Sequence, residues 1–188
     1  TVDIGNIKED LYRRDFTINS MAVKLNFGEF GKLIDYYGGY SDLQSKKIRI
    51  LHNLSFIEDP TRIIRAIRFA VRYDFNFEED TFNFMNQAIN DGFLSNLSWQ
   101  RFKNELIIML KEKSFSKALD YLIDLKIIEK IHPNIKIDNK IKSHLIEIGN
   151  FKEYFEKLNI EIWPLYLLMI LENLDREQLE FIFKRFTF

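Results

Sequence analysis

Glu58-Asp59-Pro60-Thr61-Arg62-Ile63-Ile64-Arg65-Ala66-Ile67-Arg68-Phe69-Ala70-Val71-Arg72 reads as a helix whose two faces carry opposite chemistry. At about 100° per residue, Ile63, Ile64, Ile67, Ala70 and Val71 share one side and form a core-facing stripe. Arg62, Arg65, Arg68 and Arg72 fall on the other side as a row of guanidinium groups. Asp59-Pro60 supplies the start signal, an acceptor at the N-cap followed by proline at the first helical position. The spacing therefore predicts one helix from Asp59 to Arg72. Arg62 is out of place in it. A cation in the first turn opposes the positive end of the helix dipole, at a cost of a few tenths of a kcal/mol or more. An anionic or hydrogen-bonding partner is expected to compensate.

Two readings of the arginine row stand at this point. Glu58 and Asp59 can pair with the arginines and leave a solvated charged face, which is what most charge runs are. Alternatively the row is a nucleotide site, because the planar guanidinium fork matches pairs of phosphate oxygens. Asp59 and Arg62, one turn apart, also suit a base edge. Cytosine and adenine each present an exocyclic amine beside a ring-nitrogen acceptor, and uracil and guanine present the reverse order. A carboxylate accepting from the amine and an arginine donating to the ring nitrogen would take C and A together. U and G would leave buried groups unpaired.

Outward from this helix the chain changes character near Ser55. From there on almost everything carries the helical period. Phe82, Met85 and Ile89 are in register behind Glu79-Asp80 and stop at Asp91-Gly92; Ser98 caps a helix bearing Phe102, Leu106, Ile107 and Leu110. Ser114 opens another through Leu122 and Ile123, ending before His132-Pro133. Further helices are expected around 140–148, 163–171 and 176–186. Residues before Ser55 are mixed. Asp15 to Ala22 reads as helical, running into a short strand at 21–25, with further strands at 32–36 and 48–51 and a turn at Tyr37-Gly38-Gly39 into a short helix at 41–43.

The 188 residues are 46% hydrophobic with 18 Phe but only 7 Gly and 3 Pro, a composition suited to helices with few long loops. Net charge is −1, so contact with nucleic acid must come from a local basic patch. Cysteine is absent, which excludes disulfides and thiolate metal sites and fits a cytoplasmic protein. No apolar run is long enough to span a bilayer, so no membrane partner is expected. The chain starts Thr1-Val2-Asp3-Ile4 and ends Arg185-Phe186-Thr187-Phe188 inside a helical pattern, and it reads as a piece of a longer protein.

A second basic element, Asp10-Leu11-Tyr12-Arg13-Arg14-Asp15-Phe16-Thr17-Ile18-Asn19-Ser20-Met21-Ala22, combines a capped helix start at Asp15 or Thr17 with two arginines in front, a pairing that favours phosphate. Gly38-Gly39 lacks the spacing of a phosphate loop and reads as a turn. His52, His132 and His144 are scattered without i, i+4 pairing, and no strand carries closely spaced carboxylates, so neither a metal site nor a catalytic group is expected in this chain. Asp35 and Asp42 read as structural.

Taken together, these motifs resemble the class II tRNA CCA-adding enzymes and bacterial poly(A) polymerases. The 10–22 segment resembles the family's arginine–aspartate motif almost residue for residue. Asp35-Tyr36-Tyr37-Gly38-Gly39-Tyr40-Ser41-Asp42-Leu43 with Ile48-Arg49 resembles the palm segment that follows it. Phe56 to Arg68 resembles the neck motif that selects the incoming base. Gln100-Arg101-Phe102-Lys103-Asn104-Glu105-Leu106 resembles the next motif, with Gln100 where the family usually has Glu, a departure that weakens an ion pair bracing the neck. The resemblance implies an α+β, predominantly α-helical fold: the end of a nucleotidyltransferase palm over 1–55, a helical neck over 56–113 and the start of a helical body on the tRNA side over 114–188.

It also implies roles. Asp59 and Arg62 template C and A, Arg65 and Arg68 contact the nucleotide, and Arg14 contacts its phosphates. Glu58 orients the arginines, and Arg13, Asp15, Asn19, Arg101 and Glu105 support the site. The implied reaction is attack of a tRNA 3′-hydroxyl on the α-phosphate of CTP or ATP with release of pyrophosphate. Mg²⁺ is held by a carboxylate pair on a strand upstream of Arg13, so this chain alone is expected to be inactive. The alternatives are poly(A) addition, CC or A addition alone, and a non-catalytic helical RNA-binding module.

Overall fold

The computed structural model describes residues 5–112 and 115–186. The helix start expected at Ser114 lies outside the described residues. The chain divides after Leu94 into two units.

Asn6 opens the first helix, Ile7–Tyr12 (α1), through a reciprocal capping box with Glu9. The segment after it is not the helix expected from Asp15 to Ala22. Asp15 Oδ1 accepts from the Phe16 amide at 3.0 Å and from Asn19 Nδ2 at 2.9 Å, local bonds that compete with a helical backbone. Phe16 is extended and bridges Ile50, Thr17–Asn19 form a 3₁₀ turn, and Ala22 lies within a strand, Met21–Val23 (β1). Leu33–Asp35 (β2) pairs antiparallel to β1 with Met21 opposite Asp35.

The turn into the helix Gly39–Gln44 (α2) is organised by Asp35. Its carboxylate accepts from the amides of Gly39 and Tyr40, both at 2.9 Å, and of Tyr37 at 3.3 Å. Burial pushes the Asp35 pKa up, but the backbone N–H groups of Tyr40, Gly39, Tyr37 and Gly38 outweigh it and hold the carboxyl below its ordinary value. A depressed carboxyl stabilises the fold above its unfolded pKa, and that contribution is lost as pH falls through the folded value. Asp35→Asn is therefore expected to flatten the decline in stability below about pH 4, read by urea midpoints across an acid series; an unchanged slope would contradict the assignment. Gly38 sits at φ 74°, a region that favours glycine. At Gly39 the constraint is space, since a Cβ would meet the Thr17 carbonyl oxygen and lie 2.9 Å from Met21 Cγ. Gly39→Ala is expected to cost about 2 kcal/mol and to lower the melting temperature by several degrees; an unchanged melt would contradict this.

Asp42, buried on α2, accepts from Thr17 Oγ1 at 2.7 Å and from Arg49 Nε at 3.0 Å, so both Asp35 and Asp42 bind the local structure as expected. The strand expected over 48–51 is only Lys47–Ile48 (β3).

The principal helix also differs from expectation. Instead of one helix from Asp59 there are two, Ser55–Glu58 (α3) and Thr61–Tyr73 (α4). Asp59 between them is extended (φ −139°), as a residue before proline prefers, and its Oδ1 accepts from the Thr61 amide at 3.0 Å. The apolar stripe is buried as read: Ile63, Ile64, Ile67, Ala70 and Val71 all face the core, joined by Ala66 and Phe69. Asp74 in the left-handed region ends α4, and the chain then forms a strand that helical periodicity did not anticipate. This strand, Asn76–Phe77 (β4), pairs parallel to β3, with Asn76 N–H donating to Lys46 and Glu78 N–H to Ile48. The next helix is Glu79–Asn90 (α5), capped by the Glu78 side chain, which accepts from the Thr81 amide at 2.9 Å. Met85 is buried on it, but Phe82 is 36% exposed and stacks on Phe77.

In the second unit Ser98 caps Trp99–Leu110 (α6), as expected, and Phe102, Leu106 and Leu110 are buried. Phe115–Asp124 (α7), Asn139–Asn150 (α8), Trp163–Ile170 (α10) and Arg176–Phe186 (α11) follow, with Lys152–Lys157 (α9) an additional short helix. α10 is apolar on nearly every face and packs against α6 and α8. Among the described residues, no helix is long and apolar enough to cross a membrane.

Candidate functional site

The first turn of α4 holds the cation that helix electrostatics disfavour, and the fold supplies its compensation. Arg62 Nη1 donates to Ser55 Oγ at 2.6 Å, and Nη2 donates to the Arg13 carbonyl oxygen at 2.9 Å. Both acceptors are neutral. They fix the guanidinium without cancelling its charge, which leaves it able to donate to a further acceptor. Asp59, whose Oδ1 caps Thr61, lies immediately before this turn and is half-buried. The break between α3 and α4 is what places Asp59 at the α4 entrance, and it is imposed by Pro60.

One turn further, Arg65 makes a different bond. Its Nε and Nη2 both donate to Asp15 Oδ2, at 2.9 and 2.5 Å. Asp15 is buried and anchored by Phe16 and Asn19, so the 10–22 segment and α4 are tied together across 50 residues of sequence. Arg68 is not on a solvated row. It is 6% exposed and its guanidinium lies over the Phe69 ring at 4.6 Å, while Arg65 approaches the same ring at 5.5 Å. Arg72, at the last turn of α4, is exposed with its guanidinium 5.7 Å from the Tyr73 ring.

The remaining candidates surround this centre in the first unit. Arg14 is exposed, 3.4 Å from Asp10 and 3.5 Å from the Asn19 carbonyl. Arg13 pairs with Asp10 at 3.1 Å in solvent, a contact worth little in itself. Glu58 is exposed, its carboxylate 3.6 Å from His52 Nε2, and the His52 ring packs on Tyr12 at 5.2 Å. Arg101 and Glu105 belong to the second unit, on α6, the first exposed and the second buried. Gln100 donates its side-chain amide to Asn104 at 3.0 Å. The fold thus joins Arg13, Arg14, Asp15, Asn19, Asp59, Arg62, Arg65 and Arg68 within one unit. Ser55, His52 and Phe69 were missed as partners. Ser55 is seven residues before Arg62, a spacing that reports contact only once the bend at Asp59-Pro60 is known.

Two family profiles match the chain: "Poly A polymerase head domain" over residues 2–49, and "Probable RNA and SrmB- binding site of polymerase A" over residues 74–138. An A-adding tRNA nucleotidyltransferase of Geobacter sulfurreducens is 44% identical over 181 residues, covering 94% of this chain and 21% of its own length. A CCA-adding enzyme of Oceanobacillus iheyensis is 29% identical over 88% of this chain and 51% of its own length. The solved Thermotoga maritima CCA-adding enzyme, complexed with tRNA, superposes with a TM-score of 0.84 at 38% identity, covering 97% of this chain and 45% of its own.

The chain belongs to the poly(A) polymerase and tRNA nucleotidyltransferase family. Its α+β, predominantly helical fold is the fold of CCA-adding enzymes. The chain spans about a fifth of the A-adding relative and under half of the solved CCA-adding enzyme. Within the family, Arg13, Arg14, Asp15 and Asn19 fall in the matched head segment, and Arg101 and Glu105 fall in the matched RNA-binding segment. Asp59, Arg62, Arg65 and Arg68 lie between the two matches. The family resemblance implies Mg²⁺, but among the described residues no group of three or more Asp, Glu or His side chains is placed to hold a metal ion. The described residues do not fit that metal.

Proposed function

We propose that this chain is the base-reading part of a cytoplasmic, template-independent nucleotidyltransferase that adds C and A to tRNA 3′ ends from CTP and ATP. The observation that carries this reading is the Arg62 guanidinium, held in the first turn of α4 by two neutral acceptors beside Asp59. Asp59 accepts the exocyclic amine of C or A and Arg62 donates to the adjacent ring nitrogen, so the protein stands in for a template strand. Arg65 contacts the nucleotide, Arg14 faces its phosphates, and Asp15 and Asn19 hold Arg65 in place; Arg68, expected to contact the nucleotide as well, is buried against Phe69 and backs the site instead. Glu58, whose carboxylate lies beside His52, and Arg101 and Glu105 on α6 are supporting residues in this reading. In functional terms 1–55 is the end of the head, 56–113 the neck and 114–188 the start of the body that meets tRNA.

The chain alone adds no nucleotide on this reading, because its described residues offer no carboxylate cluster for the Mg²⁺ that the family implies. The full-length protein carrying this sequence is expected to incorporate labelled CTP and ATP into tRNA lacking its 3′ end, releasing pyrophosphate. Absence of transfer from both nucleotides would overturn the proposal. A second reading, addition of A alone, is favoured by the 44% identity to an A-adding enzyme against 38% to the solved CCA-adding enzyme of Thermotoga maritima and 29% to that of Oceanobacillus iheyensis. The same assay separates the two: under the second reading only tRNA already ending in CC is extended.

A further inference from the structure

Ser55 is hydrogen-bonded to both residues of the proposed base reader. Its side chain is wholly buried at the first residue of α3. Its hydroxyl oxygen accepts from Arg62 Nη1 at 2.6 Å, and its carbonyl oxygen accepts from the Asp59 amide at 3.2 Å. Ser55 is itself anchored, its amide donating to the His52 carbonyl at 3.1 Å. One fixed residue thus ties the backbone of the carboxylate and the head of the guanidinium.

A long arginine side chain has many rotamers, and a single hydrogen bond leaves its planar head free to swing about that bond. Two anchors on different nitrogens define the plane. Arg62 has two: Ser55 Oγ on Nη1 and the Arg13 carbonyl on Nη2. The Arg13 carbonyl is backbone and is supplied by any residue there, so Ser55 is the anchor that sequence controls. A hydroxyl is suited to the task. It accepts a charge-assisted bond yet leaves the positive charge intact, whereas a carboxylate in its place would neutralise the group and compete with the base.

We propose that Ser55 is a positioning residue for base selection, acting through Arg62. This rests on the reading of Arg62 as the reader of the ring nitrogen. Removing the hydroxyl frees one corner of the fork, so the directional preference for C and A over U weakens while the charge remains. In the full-length protein, Ser55→Ala is expected to reduce the ratio of kcat/KM for CTP or ATP over UTP by about 10-fold, the scale of one charge-assisted hydrogen bond.

A double-mutant cycle with Arg62→Ala tests the route of the effect. If Ser55 acts through Arg62, Ser55→Ala lowers the ratio in the native background and adds nothing in the Arg62→Ala background. An equal loss in both backgrounds, or no loss in the native one, overturns the role of Ser55 while leaving Arg62 as reader. Native selectivity in Arg62→Ala alone overturns the reading of the site, and the role of Ser55 with it. Ser55→Ala removes one oxygen without opening a large cavity, and a melting temperature near native confirms that the ratio reports selection rather than unfolding.

Discussion

Arg62→Ala in the full-length protein carrying this sequence is expected to cut the preference for CTP and ATP over UTP by about 100-fold, the scale of losing one charged donor against a buried acceptor. With Arg62 in place, uracil or guanine brings a ring N–H against a guanidinium that can only donate, and neither group finds an acceptor. With alanine there, that repulsive juxtaposition disappears for the wrong bases, and the right bases lose a bond. Both changes move the ratio in the same direction. Asp59 retains its bond to the Thr61 amide in either case, so the entrance to α4 is preserved. The measurement is kcat/KM for each of the four nucleotides on one tRNA acceptor. An unchanged ratio, with all four rates lowered alike, would make Arg62 a structural residue.

The second large effect is on stability. Asp15→Ala is expected to destabilise the unit containing α1 to α5 by about 3 kcal/mol, within the range for breaking a buried ion pair and orphaning its hydrogen-bond donors. The Asp15 side chain is 10% exposed and its partner Arg65 is 32% exposed, so the pair is screened on one side only. The carboxylate serves four donors: Arg65 Nε and Nη2 on one oxygen, the Phe16 amide and Asn19 Nδ2 on the other. Alanine satisfies none of them, and the charge of Arg65 remains beside the Phe69 ring. Urea unfolding followed by far-ultraviolet circular dichroism reads the change. A shift below about 1 kcal/mol, the value of an exposed pair, would contradict it.

Much of the helical part of the fold was legible because its cause is local and periodic. The stripe Ile63, Ile64, Ile67, Ala70 and Val71 is buried as its spacing requires, and Ser98 caps α6 through its hydroxyl. The misreadings arise where a few side-chain or long-range bonds override local propensity. Asp15 diverts its own carboxylate to nearby donors and prevents the helix expected through Ala22. Asn76–Phe77 are too few to leave an alternating pattern, and their strand exists only because β3, some thirty residues earlier, offers an edge. Asp59-Pro60 was read as a helix start, and it is one, but the chain before it is already helical and turns there.

The candidate site was legible by residue type and less so by environment. Arg62 was marked by its conflict with the helix dipole, and the compensating bonds are present, yet Ser55 gave no signal of its own because a buried serine in a four-residue helix resembles any other. Arg68 was placed on the solvated side by angle alone. In the fold Arg68 is buried against the Phe69 ring, while Arg72 on the same side stays exposed. Helical projection assigns faces, but whether a polar face meets water depends on what packs upon it.

On the proposed function, Asp59 and Arg62 read the edge that C and A share. Sequencing the tails that the full-length protein adds to tRNA lacking its 3′ end, with all four nucleotides supplied at equal concentration, tests it directly. Tails built only of C or A, with U and G each below about one in a hundred additions, are the expected result. U or G at a frequency comparable to C or A would contradict it.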